Sequence, residues 1–151
     1  MSASPTPDLV GSLRVEAVDG EDLPRWLLAQ KRTLSPDRFY SLVRAGWPVH
    51  AYLVHEAGQP RPVGCWFLVG SPLYDGLLID TFVVDKAVRT EARVRACMRA
   101  AARVCAALLR ELGLRRVAWS TDRPDRMMAL LDDPRVRPVE TTLVLEIEEG
   151  G

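Results

Sequence analysis

Leu77-Leu-Ile-Asp-Thr-Phe-Val-Val84 runs into Asp85-Lys-Ala-Val-Arg-Thr-Glu-Ala-Arg-Val94, and from Leu77 to Leu112 there is not one glycine or proline. The first part is apolar on both sides except at Asp80 and Thr81. That pattern predicts a strand covered on both faces, inside a sheet and not at its edge. The period then changes. Between Arg89 and Leu112, Val94, Cys97, Met98, Ala101, Cys105, Leu108, Leu109 and Leu112 fall on one stripe of a helix. Arg95, Arg99, Arg103 and Arg110 fall on the opposite one, which reads as a solvated face. Gly113 is a C′ stop for this helix.

Upstream, Val49 to Val54 and Val63 to Val69 are apolar runs around the turn-rich His55-Glu-Ala-Gly-Gln-Pro-Arg-Pro62. With Leu77 to Val84 they predict an antiparallel meander of three strands. Before them, Leu13-Arg-Val-Glu-Ala-Val18 alternates as a half-buried strand does. Asp22 with Pro24 opens a first short helix, on which Leu23, Trp26, Leu27 and Gln30 recur at helical spacing. Ser35 with Pro36 at N1 opens a second, which stops at Gly46-Trp47-Pro48. Downstream, Arg116 to Thr121 reads as a strand, Pro124 to Leu131 as a helix and Glu140 to Ile147 as a last strand. Residues 1–12 read as a flexible lead and residues 13–149 as one domain. The core is expected around Trp66, Phe82, Met98, Cys105 and Leu109.

The chain has 151 residues, is 48% hydrophobic, and balances 20 Lys+Arg against 20 Asp+Glu. It is long enough for one real core, and its zero net charge argues against general nucleic-acid binding. Lys31 and Lys86 are the only lysines. No apolar run approaches the ~20 residues of a membrane span, and MSASPTPDLVGS has no signal-peptide core, so the expectation is a cytoplasmic protein without membrane contact. Cys65, Cys97 and Cys105 form neither a metal-type spacing nor a disulfide framework. On a helix, Cys97 and Cys105 lie about 12 Å apart, too far to bridge. His50 and His55, five apart on a strand, face opposite sides and share no metal.

The order of strand, two helices, three antiparallel strands, long helix, strand, helix, strand resembles the GNAT superfamily of N-acetyltransferases. The likeness runs from about Leu13 to Glu148. Local phrasing is similar as well. In Ala51-Tyr-Leu-Val-His-Glu-Ala-Gly-Gln-Pro-Arg-Pro-Val-Gly-Cys-Trp66, Gly64 follows the first valine of the third strand, Val63, as in the family. Leu78-Ile-Asp-Thr-Phe-Val-Val-Asp85 looks like the run into the cofactor loop, Glu111-Leu-Gly-Leu-Arg-Arg-Val117 like the helix end and next strand, and Arg137-Pro-Val-Glu-Thr-Thr-Leu-Val-Leu-Glu146 like the last strand. The resemblance implies an α/β (α+β) fold, with a mixed, mostly antiparallel sheet flanked by helices. It also implies acetyl-CoA as cofactor if the protein is active, and no cofactor otherwise.

The family holds the cofactor's pyrophosphate on main-chain N–H groups at the start of the long helix, within Arg/Gln-x-x-Gly-x-Gly/Ala, where glycines let the backbone come close. The aligned run here is Arg89-Thr-Glu-Ala-Arg-Val94. Arg89 keeps the basic position, but Ala92 and Val94 replace the glycines, and Val94 is expected to obstruct the phosphate. Glu91 adds an unfavourable charge. Asp85 is placed to cap a helix starting one turn early, which would fill the loop. Phe82, Val83 and Val84 would offer backbone to pantetheine. Asp80 matches the family's frequent general base, or is a strand residue facing solvent. Leu131 occupies the slot of the family's tyrosine acid, and no Tyr follows Tyr74. Ser120 and Thr121 end a strand where the family admits pantetheine.

Two functions follow from this resemblance. In one, the fold has lost its chemistry and serves as an interaction or assembly module, through a protein partner or self-association. GNAT-like folds without evident chemistry serve as regulatory domains and as structural components of some phage particles, so virion assembly is one such role. In the other, the protein is an acetyl-CoA-dependent N-acyltransferase acting on a primary amine. The first is the stronger expectation.

Overall fold

In the computed structural model, Leu13–Val18 (β1), His50–Glu56 (β2), Gly64–Ser71 (β3), Gly76–Val84 (β4) and Arg116–Trp119 (β5) form one sheet in the order β1-β2-β3-β4-β5. The structure describes residues 13–71, 75–119 and 124–137. β1 to β4 are antiparallel neighbours, and β4 and β5 are parallel. β4 is interior, as its two-sided apolar pattern predicts.

Arg25–Leu28 (α1) and Pro36–Arg44 (α2) lie between β1 and β2, and Glu91–Leu112 (α3) joins β4 to β5. α2 and α3 start where the sequence supplies a cap. Ser35 accepts from Arg38 N at 3.3 Å, with Pro36 in the first turn of α2. At the other end of α3, Gly113 adopts φ 71°, which a side chain would resist, and Leu114 N reaches back to Leu109 O at 2.9 Å. Asp22 does not cap α1; it lies in a separate turn of 3-10 helix, Gly20–Asp22, and Pro24 stands at the N-cap.

Two apolar layers hold the sheet. Tyr52, Trp66, Leu77, Ile79, Cys97 and Cys105 meet on the α3 face. Leu23, Leu27, Phe39, Leu53, Phe67 and Val83 meet on the α1–α2 face. Across β2, β3 and β4, Tyr52, Trp66 and Phe82 stack with centroids 5.2 and 6.0 Å apart. Trp66, Met98 and Cys105 are buried, whereas Phe82 and Leu109 are only half-buried. Both pack against the α3-face core from its margin.

The chain divides into two compact units, Met1–Trp119 and Ser120–Gly151. In the second, Pro124–Leu131 (α4) is the described helix, and Arg135 closes on Asp133 at 2.7 Å. The expected lead at 1–12, Ser120 and Thr121, and the expected strand Glu140 to Ile147 lie outside the described residues. Among the described residues no helix is long and apolar enough to cross a membrane, and no cluster of His, Cys, Asp and Glu can hold a metal ion.

Candidate functional site

β4 is where sheet geometry and chemistry meet. Its register with β3 runs regularly from Gly64↔Val84 to Phe67↔Thr81, then shifts so that Leu68 faces Ile79. Asp80 is the extra residue, a β-bulge. Bulges re-aim a side chain and end pairing beside sites. Here Asp80 is exposed and accepts from Thr81 Oγ1 at 3.1 Å. The parallel pairing with β5 runs from Gly76↔Arg116 to Ile79↔Trp119, one residue before the bulge. From Asp80 to Val84, β4 therefore has no β5 partner among the described residues. Phe82, Val83 and Val84 lie on this open stretch.

Gly64, beside it, has a steric reason. A Cβ there would stand 2.8 Å from Val83 O on β4. The glycine after Val63 lets the two strands close.

Beyond Val84 the chain makes a turn, not an early helix. Asp85 caps this turn: its Oδ1 accepts from Ala87 N at 3.1 Å, and its own carbonyl accepts from Val88 N at 3.2 Å. Gln30 Nε2 reaches Oδ1 at 3.0 Å, Arg61 reaches Oδ2 at 3.3 Å, and the side chain is 2% exposed. Burial works against the charge of Asp85, but the hydrogen bonds from Gln30 and Ala87 N and the Arg61 guanidinium together hold its carboxyl below the usual range. Gln30 also accepts from Lys86 N at 2.8 Å. Arg61 in turn covers the Trp26 ring at 4.0 Å. The turn after β4 is thus tied to α1 and to the β2–β3 loop. None of these long-range ties was legible in sequence, because Gln30 and Asp85 are 55 residues apart.

α3 begins at Glu91, with Thr90 as its N-cap. Thr90 Oγ1 accepts from Arg93 N at 3.1 Å, and Thr90 O from Val94 N at 2.9 Å. The Glu91 and Ala92 amides have no partner among the described residues. Arg89 turns back to donate to Val84 O at 2.7 Å. Arg93, to which the sequence reading assigned no role, is buried and bonds Glu56 at 2.9 and 2.7 Å. Its third bond is to Val88 O. A glutamate ending β2 and an arginine at N3 carry no sequence mark of pairing. Val94, expected to obstruct a phosphate, instead packs inward on the α3-face core. Ala92 is half-buried and Glu91 exposed. Of the arginine stripe, Arg95 pairs with Glu91 at 3.3 Å and is half-buried, as is Arg99; Arg103 and Arg110 are exposed.

His55 reaches Glu16 at 2.9 Å, and His50 lies at the far end of β2. At that far end of the sheet, away from the Asp85 turn, a shallow hollow of about 540 Å³ opens between Asp19, Glu21, Asp22 and Trp47. All three cysteines are free and buried.

A five-stranded, mostly antiparallel sheet with a long helix after its fourth strand has counterparts among solved structures. A ribosomal-protein-alanine N-acetyltransferase from Brucella melitensis is similar with TM-score 0.62 at 14% identity, over 91% of this chain and 100% of that one. A Trypanosoma brucei acetyltransferase gives 0.61 at 18% identity, over 90% and 100%. A Bacillus cereus IAA acetyltransferase gives 0.59 at 16% identity, over 80% and 74%.

The fold is that of the GNAT acetyltransferases.

By sequence, no family model and no curated protein matches the chain. At these identities the likeness covers the GNAT architecture alone. The run expected from the resemblance to lie at the cofactor loop, Arg89-Thr-Glu-Ala-Arg-Val94, stands at the start of α3, and Leu131 lies in α4 of the second unit.

Proposed function

We propose that this protein keeps the GNAT scaffold with a degraded acyl-CoA site and acts as a non-catalytic interaction or assembly module. The observation that carries this reading is the state of the α3 N-terminus. The residues there do not fit a diphosphate. The N3 amide is taken by Thr90, one Nη of Arg89 donates to the Val84 carbonyl, and no glycine is available at 92 or 94. Glu91 stands on the first turn, where the helix dipole would otherwise favour the ligand's own negative charge. Val94 faces the core, so what counts against a diphosphate is the missing glycines, the Glu91 charge, and the Arg93 amide and one Arg89 donor already engaged, not a valine side chain. The partner is a protein, of the kind an assembly such as a virion supplies, or another copy of this chain. The neutral balance of charges does not favour general nucleic-acid binding, and a location in the cytoplasm goes with this reading.

One observation favours the alternative, an active acetyl-CoA-dependent transferase. The bulge and the exposed Asp80 carboxylate, beside a stretch from Asp80 to Val84 with no β5 partner among the described residues, are the parts such an enzyme would use. In it, Asp80 would orient a water that deprotonates a primary amine, and Phe82, Val83 and Val84 would hold pantetheine by main chain.

Calorimetry with acetyl-CoA and CoA decides between them. The module reading expects no heat of binding at concentrations where an enzyme saturates. Micromolar binding would reverse it. Ala92→Gly with Val94→Gly is the complementary variant, costing up to ~1 kcal/mol of helix stability per glycine while restoring the family pattern.

A further inference from the structure

We propose that β1 pairs with β1 of a second copy, antiparallel and centred on Val15, so that two sheets join into one across a two-fold axis. This deepens the interaction reading by naming the partner.

β1 ends the sheet, and among the described residues its outer row of N–H and C=O groups faces no strand. Edge strands are ordinarily blunted by charged side chains, proline, a bulge or short length. Leu13-Arg-Val-Glu-Ala-Val18 carries two exposed charges, Arg14 and Glu16, and they are of opposite sign. It is six residues long, free of Pro, Gly and Lys, and in unbroken register with β2 from Leu13↔Glu56 to Val18↔Ala51.

The side chains then select a register. Glu16 is the direct partner of Leu53, whose side chain belongs to the α1–α2 face, so Arg14 and Glu16 stand on that face. Leu13 and Val15 pack on the α3 face. A two-fold axis normal to the sheet keeps each face continuous and sets residues of one face opposite each other. Only two such registers pair five of the strand's six residues, those centred on Val15 and on Glu16; centring on Arg14 pairs three and sets two arginines against each other. Centring on Glu16 sets two glutamates against each other. Centring on Val15 sets Arg14 opposite Glu16 twice and Val15 opposite itself, and like charges directly opposite are destabilising while opposite charges stabilise. Arg14 is exposed, and no acid partners it among the described residues. Glu16 is held in place by His55 at 2.9 Å and remains about half exposed at 46%.

Sedimentation equilibrium on the full chain into the ~100 µM range, with circular dichroism as a fold control, tests this. The native protein should be a dimer. Arg14→Glu alone and Glu16→Arg alone should each weaken the dimer about tenfold or more, because each makes two like-charge contacts. The double variant Arg14→Glu/Glu16→Arg should restore it. A monomeric native protein, a dimer indifferent to both single changes, or a double variant as weak as the singles would each overturn the proposal. CoA binding bears on the module reading alone: it would sink that reading and leave the dimer measurement unchanged.

Discussion

Arg93 and Glu56 meet in a two-pronged bond, Nε to Oε1 at 2.9 Å and Nη2 to Oε2 at 2.7 Å, with side chains only 8% and 3% exposed. It fastens the first turn of α3 to the last residue of β2, and the Glu56 hydrogen bond keeps the guanidinium charged. Removing one partner strands the other charge away from water. Arg93→Met or Glu56→Leu alone should cost ~3 to 5 kcal/mol in chemical denaturation, and the double change clearly less than the sum of the two. Additive costs would mean that the two side chains do not depend on each other.

Asp85 gives a dependence on acid. Its carboxyl is held below the ordinary value of 3.8, so the folded protein binds its proton less readily than the unfolded chain. The stabilisation is fully present above that value and is lost as pH falls through it toward the lower folded one. Asp85→Asn should therefore destabilise at neutral pH and lose that deficit progressively below about pH 4. Urea denaturation of both proteins across that range reads the difference. A deficit that stays constant into acid would separate the stability of the turn from the carboxylate charge.

Two glycines should prove intolerant of a methyl group. At Gly76 a Cβ would stand 1.9 Å from Arg116 O, which is backbone and cannot step aside. Gly76→Ala should open the β4–β5 pairing and speed amide exchange in β5, with Gly64→Ala acting the same way between β3 and β4. Gly70, where nothing lies within 4 Å, is the control that should accept alanine with little change.

Burial pushes each of the Cys65, Cys97 and Cys105 thiols up to about 12. The thiolate is the reactive form, so native protein at neutral pH should label with a thiol reagent only as fast as it opens. Rapid labelling of any one of them without denaturant would contradict its placement.

Phe82, half-buried at the end of the Tyr52–Trp66–Phe82 stack, should cost ~1.5 to 3 kcal/mol when cut to alanine, less than a fully enclosed phenylalanine. Thermal and chemical unfolding should agree on that figure.

Much of this architecture is legible from period and punctuation. Ser35-Pro36, the stripe from Val94 to Leu109 and Gly113 each announce an element through local chemistry and stand where that chemistry predicts, whereas Leu112, at the end of the stripe, is 45% exposed. The two-sided apolar run from Leu77 likewise predicts an interior strand. The site is less legible, because its decisive contacts are long-range. Gln30 with Asp85, Arg93 with Glu56, and Trp26 with Arg61 join segments that share no local pattern. Val94 shows the limit from the other direction: aligned to a glycine, it suggests a blocked phosphate, yet the helix phase turns it toward the core. The bulge at Asp80 escapes sequence reading too, since one surplus residue leaves both halves of the strand looking regular.

That surplus residue works like a shift in reading frame. Before it, odd-numbered Leu77 and Ile79 face α3; after it, even-numbered Phe82 and Val84 do. Striking Asp80 from the chain would bring both halves into a single frame with every core side chain still on its own face. A lineage could therefore gain or lose the bulge through one codon, without rebuilding the core beneath it.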